Sequence, residues 1–184
     1  MFTSMAEFKK LSMDQLGRVS ASEAKQLPKV PVVVVLDNVR SMHNVGSIFR
    51  SADAFAIQKL YLCGYTPQPP HRDIHKTALG ATESVDWAYY PATLECINQL
   101  KTNGYYIVSV EQATGSITPA TFIQNKPANP VAIVLGNEVE GVQQAIIDNS
   151  NMVIEIPQFG AKHSLNVAVA AGIVMYELSC RYFV

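Results

Sequence analysis

Charge is scarce in this chain. Asp, Glu, Lys and Arg make up 16% of its 184 residues, where an average soluble protein has roughly a quarter. The two signs nearly cancel, to a net charge of -1. That balance excludes a protein that holds a polyanion by bulk electrostatics and leaves only locally clustered cations for such a task. Residues 1–30 hold one cluster, Lys9, Lys10, Arg18, Lys25 and Lys29, diluted by Glu7, Asp14 and Glu23; an ordinary solvated pair of helices has the same composition. Cysteine is scarcer. Cys63, Cys96 and Cys180 are far apart and odd in number, giving neither a disulfide framework nor the paired spacing of a zinc site. The longest apolar stretch, 167–175, falls far short of the roughly 18 residues of a membrane span. The N-terminus lacks the basic, apolar and small-residue pattern of a secretory leader. The expectation is a soluble, cytoplasmic chain.

Several chemical signatures are missing too. No Gly-Lys-Ser/Thr phosphate loop occurs, and no G-x-G-x-x-G follows the first strand, so ATP- and NAD-driven chemistry lose support. The nucleophile elbow G-x-S-x-G of serine hydrolases is absent. His43, His71, His75 and His163 form no triad with a serine, and no cluster suggests a metal; none is expected.

What the chain does have is apolar residues, at 48%, in a recurring order. Residues 1–30 read as a short helical N-terminal extension, with Ser12 and Ser22 as candidate helix starts and Pro28 and Pro31 as punctuation. From 31 to 184 the pattern is one domain. Val32, Val33, Val34, Val35 and Leu36 form a β-branched run, the mark of a strand buried on both faces. Val45, Ile48, Phe49, Ala52 and Phe55 follow at helical spacing. Further strands are expected at 59–63, weakly at 85–89, and at 105–110, 131–135 and 152–156, with a helix at 94–100. Residues 114–130 read as an extended connection with few core anchors. A long helix is expected over about 164–181, apolar on almost every side. Strands alternating with helices predict an α/β fold, a mostly parallel sheet with helices on both faces. A helix apolar all round must be covered all round, either by the sheet on one side and a second subunit on another or by burial wholly inside one domain.

Ligands of parallel α/β sheets bind beyond the carboxyl ends of the strands, and three such ends carry unusual residues. After the first strand come Asn44, placed to cap a helix or face a ligand, Gly46, which permits close approach, and Arg50, on the face away from Val45, Ile48 and Phe49. After 131–135 come Gly136, Asn137, Glu138 and Gly141, a tight turn. After 152–156 come Pro157, Gly160, Ser164 as a candidate cap, and Asn166 in the first turn of the apolar helix. An amide there costs stability unless it is hydrogen-bonded, which favours a function.

Taken together and in this order, the three sets resemble the SpoU branch of the SPOUT RNA methyltransferases over about 32–178. N-x-G-x-x-x-R is Asn44 to Arg50, the Leu-Gly-x-Glu turn runs from Leu135 to Gly141, and I-P followed by S-L-N-V is Ile156-Pro157 with Ser164-Leu165-Asn166-Val167. Lys76 to Glu83 also looks like the family's stretch between its second and third strands. Each motif alone is weak; the ordered set is specific.

The resemblance implies a C-terminal deep trefoil knot and a homodimer whose interface includes the last helix. It implies S-adenosylmethionine as cofactor, leaving as S-adenosylhomocysteine, bound by backbone at Leu135, Gly136, Ile156 and Leu165 with Ser164. Arg50, Asn44, Glu138, Ser164 and Asn166 would form the catalytic neighbourhood for methylating a ribose 2′-hydroxyl of tRNA or rRNA. Only about thirty residues precede the first strand, fewer than in relatives with a separate RNA-binding domain, and tRNA is slightly favoured as the compact target. The rival reading is a catalytically silent RNA-binding or ribosome-assembly protein on the same fold.

Overall fold

The computed structural model describes residues 8–12, 14–17, 19–125, 127–162 and 164–183. Arg18 of the N-terminal cationic cluster and His163 lie outside the described residues.

The β-branched run forms β1 (Val30–Asp37), which is covered on both faces as its composition requires. Val32, Val34 and Leu36 enter one apolar core, and Val33 and Val35 enter the other. The remaining strands are β2 (Ile57–Cys63), β3 (Trp87–Tyr90), β4 (Tyr106–Val110), β5 (Val131–Leu135) and β6 (Met152–Ile154). Among the described residues they make a six-stranded sheet of order β3-β2-β1-β5-β4-β6, and every paired strand is parallel. The chain winds outward from β1 to β3, then crosses over and returns to place β5 beside β1. The strand order therefore reverses between β1 and β5, the position where parallel sheets open a crevice for ligands.

Helices cover both faces, as expected. The larger core takes apolar side chains from α2 (Met42–Ala54), α3 (Arg72–Ala78), α4 (Ala81–Ser84), α6 (Pro119–Gln124) and α8 (Val167–Phe183). The smaller takes Cys96, Ile97 and Leu100 of α5 (Thr93–Thr102) and Ile146 of α7 (Gln144–Ile147). Near the N-terminus, α1 (Ala21–Gln26) opens with a reciprocal cap: Ser20 accepts from the Glu23 N–H, and the Glu23 carboxylate accepts from the Ser20 N–H. Lys25 pairs with Asp86 at 3.3 Å, so one member of the cationic cluster is engaged within the fold.

Two expectations need correction. The segment 114–130 is anchored rather than merely extended: Thr118 caps α6, Phe122 is buried and stacks on Tyr106, and Ile117 bridges to Ile154. The last helix starts at Val167, later than expected, and only one side of it is covered. Val167, Ala171, Val174, Met175 and Leu178 are buried. On the opposite side Val169, Ile173, Tyr176 and Phe183 are 51%, 36%, 53% and 59% exposed. Among the described residues, no helix is long and apolar enough to cross a membrane, and no group of His, Cys, Asp and Glu is arranged to hold a metal.

Candidate active site

At the end of β1 a buried carboxylate gathers the surrounding loops. Asp37 Oδ1 accepts from the Thr93 hydroxyl at 2.6 Å and the Gln143 amide at 2.6 Å, and Oδ2 accepts from the Gln143 N–H at 3.0 Å. The next residue, Asn38, adopts a left-handed conformation. Its side-chain oxygen accepts from the Tyr65 N–H, and its carbonyl accepts from the Asn137 amide at 2.9 Å. Thr66 completes this frame by donating to the Leu36 carbonyl and accepting from the Val39 N–H. The loops following β1, β2 and β5 are thus tied together before any ligand arrives.

The loop after β5 is folded back on itself. Asn137 and Gly141 exchange backbone hydrogen bonds at 3.0 and 2.9 Å, and a Cβ on Gly136 would collide with the Gly141 and Val142 backbone. Only glycine fits that approach. The Asn137 side-chain oxygen accepts from the N–H groups of Val139 and Glu140, which fixes the turn that projects Glu138. The Glu138 carboxylate reaches the start of α2, accepting from the Arg40 N–H at 2.9 Å, the Ser41 N–H at 3.0 Å and the Asn44 amide at 2.9 Å. Burial opposes its ionisation, but the donations from Arg40, Asn44 and Ser41 outweigh it and hold the carboxyl below its ordinary range.

Asn44 passes the network on. Its side-chain oxygen accepts from the Asn166 amide at 3.1 Å, and the Asn166 oxygen accepts from the Ala168 N–H at 2.9 Å. Glu138, Asn44 and Asn166, one from each motif, therefore form a continuous polar chain. Two capping expectations change accordingly. Ser41, not Asn44, caps α2, leaving the Asn44 amide free for the network. Asn166, not Ser164, caps α8, and its amide is satisfied there.

Beside this chain lies an open cleft of about 470 Å³ at the carboxyl ends of β4, β5 and β6. Leu135, Gly136, Ile156, Ser164 and Leu165 line it, together with Glu138 and Asn166. So do Glu111, Glu140 and Glu155, while no Lys or Arg lines it among the described residues. Glu111 is fixed by donations from the Val142 and Gln112 N–H groups. An acidic wall of this kind favours a ligand with positive charge. Asn44 and Arg50 do not line the cleft. Arg50 is exposed on α2, and its guanidinium has no hydrogen bond or ion pair among the described residues.

The motifs pointed to Glu138, Asn44 and Asn166. They did not point to Asp37, Asn38, Gln143 or Glu111, which hold the loops in place, and they gave Asn137 only as part of a turn. One signal was available for Asp37: a carboxylate ending an otherwise apolar strand needs buried partners.

Fold and site together define a parallel α/β protein with a preformed cleft beyond the carboxyl ends of its strands. The chain belongs to the SpoU rRNA Methylase family, whose model matches residues 31–176. A protein of Staphylococcus aureus assigned to the TrmH family of tRNA/rRNA methyltransferases is 31% identical over 157 residues, 85% of this chain and 61% of that protein. This chain therefore spans about three fifths of that relative's length. Among solved structures, an rRNA methyltransferase from Sinorhizobium meliloti with AdoMet bound superposes with a TM-score of 0.77 at 27% identity, covering 88% of this chain and 60% of that one. A TrmH/SpoU tRNA modifying enzyme from A. aeolicus gives 0.77 at 25% identity, covering 89% and 82%.

Proposed function

We propose that this protein transfers a methyl group from S-adenosylmethionine to a ribose 2′-hydroxyl of tRNA or rRNA. One observation carries the reading: the three family motifs meet in a single hydrogen-bonded chain, Glu138–Asn44–Asn166, along a cleft of suitable size and charge.

The cleft suits the cofactor on its own chemistry. The missing Cβ at Gly136 lets the loop after β5 fold tightly on itself, and Leu135, Gly136, Ile156 and Leu165 line the cleft, where their backbone would hold the adenosine. Its carboxylates oppose the cofactor's sulfonium and ammonium charges, with Ser164 able to bond the methionine end. When bound, S-adenosylmethionine supplies a methyl group activated by the positive sulfur.

The chain's own residues supply alignment first. Glu138 already makes three bonds within the fold, so it acts by fixing the start of α2 rather than as the base. Asn44 and Asn166, cross-linked to each other, set the floor on which the ribose rests. Arg50 is a poor base, since a guanidinium has a pKa above about 12. Free and exposed on α2, it clamps an RNA phosphate and stabilises the alkoxide developing at the 2′-oxygen, while a phosphate oxygen or solvent accepts the proton.

The same reading divides the chain into a helical extension, 1–30, and a methyltransferase domain, 31–184, that ends in a trefoil knot. It makes the protein a cytoplasmic homodimer joined through α8. The one-sided burial of α8 supports that dimer.

Incubation with labelled S-adenosylmethionine and separate tRNA and rRNA pools, followed by digestion to nucleosides, tests the proposal. A labelled 2′-O-methylnucleoside that disappears with Arg50→Ala is expected. A labelled base would reassign the acceptor. Absence of both label and calorimetric cofactor binding would leave the silent RNA-binding or ribosome-assembly reading. Arg50→Lys keeps charge but loses the planar fork; near-normal turnover in it would overturn the phosphate clamp.

A further inference from the structure

The cleft is acidic and the chain is almost neutral overall, so an RNA approaching this site needs attraction from somewhere else. One surface provides it. Three of the four histidines in the chain, His43, His71 and His75, come together with Arg72 and Lys76. They stand on two segments packed against each other, the first turn of α2 and the short helix α3. The Thr77 hydroxyl of α3 donates to the His43 carbonyl at 3.0 Å. Gly46 of α2 lacks the Cβ that would strike Thr77 and the Ile74 carbonyl, so the helices lie in direct contact.

Asp73 is the one carboxylate of α3. It bonds Lys76 at 2.9 Å, and Lys76 together with the charges of His43 and His71 holds its carboxyl below the usual range. Asp73, Lys76, His43 and His71 therefore share one neighbourhood, and Arg72 and His75 stand on the same short helix. Arg72 is exposed, with no ion pair or hydrogen bond to its guanidinium among the described residues. Arg72 and Lys76 are four residues apart and share a face of α3. The patch adjoins the site directly, because His43 precedes Asn44 of the polar network.

We propose that this α2–α3 surface binds the phosphodiester backbone of the RNA beside the nucleotide being modified, with Arg72 and Lys76 as its principal phosphate contacts. The proposal rests on the functional reading above and names where its substrate is held. Arg72 offers a bidentate fork and Lys76 a mobile point charge that exchanges Asp73 for phosphate. Contacts of this kind release counterions, so affinity should depend on salt through these residues.

Binding to unfractionated tRNA and to fragmented rRNA is measured over a salt series for the wild type, R72A/K76A, R72K/K76R and D73N, with calorimetric S-adenosylmethionine binding alongside. R72A/K76A is expected to bind RNA about tenfold more weakly at low salt, with the log–log salt slope shallower by about 1–2. Its KM for RNA rises while its cofactor affinity stays at the wild-type value. R72K/K76R retains the wild-type slope. D73N, which frees Lys76, binds RNA more tightly; a merely structural role for α3 would not give that gain. Wild-type methylation of RNA with unchanged KM and salt slope in R72A/K76A overturns this inference alone. RNA binding that depends on the patch, without methyl transfer, overturns the catalytic reading and keeps the surface. No RNA binding by the wild type overturns both.

Discussion

Glu138 stabilises the fold only while it is ionised. Its carboxyl has a lower pKa in the folded chain than the ordinary 4.5. Its contribution is therefore complete above that ordinary value and is lost as pH falls through the lowered one. Glu138→Gln keeps the shape and removes the charge. Thermal melting should show the variant less stable than the wild type at neutral pH, with the gap closing below about pH 4.5. A gap that is constant with pH would mean that the ionised carboxylate does not hold the start of α2. Asp37 is a harsher case because it is buried and serves Thr93 and Gln143 at once. Asp37→Ala strands buried donors and should cost about 3 kcal/mol in urea denaturation. At this scale Asn44, Glu138 and Asn166 were legible because they sit in spaced motifs. Asn38 was not, and Asn137 was legible only as a turn residue. An isolated asparagine beside a strand end looks the same whether it merely turns the chain or ties two loops together.

At the scale of single elements, the glycine turn after β5 is the most demanding. Gly136→Ala must push its new methyl into the backbone of Gly141 and Val142. We expect a loss of about 1–3 kcal/mol in stability, as in other overpacked sites, and loss of calorimetric cofactor binding. Normal cofactor affinity in that variant would show that the turn does not shape the cleft. On the other face of the sheet, Cys96 and burial push the Cys63 thiol up, and both side chains are buried away from reagents. Cys63 and Cys96 should resist a thiol reagent in the native protein and react after unfolding. The long elements were legible from their apolar content: β1 and β5 as continuous apolar runs and α8 as a long, largely apolar helix. α3, α4, α6 and α7 span four to seven residues, too few turns for a hydrophobic period to emerge. Their existence follows from tertiary contacts such as Phe122 on Tyr106.

For the whole molecule, the apolar stripe on α8 is the main feature that a single chain leaves uncovered. Val169, Ile173 and Tyr176 recur at helical spacing on the exposed side. Replacing Ile173 and Tyr176 by glutamate should turn a dimer into a monomer in analytical ultracentrifugation, with the far-ultraviolet circular dichroism retained. A wild type that sediments as a monomer would remove α8 as the interface. Fold class and the two-sided sheet were legible from the alternation of strands and helices. The sheet order was not, because parallel pairing with β5 between β1 and β4 is set by contacts remote in sequence.

That remoteness also sets when the protein can work. Asn44 meets Glu138 across 94 positions and Asn166 across 122, while β1 cannot acquire its β5 neighbour until residues 131–135 exist. During synthesis, the first half of the chain has motif residues but no cleft. The hydrogen bond between Asn44 and Asn166 closes only after residue 166 has left the ribosome. The cleft therefore arrives in one late step, once the segments after β4, β5 and β6 and the start of α8 are all available.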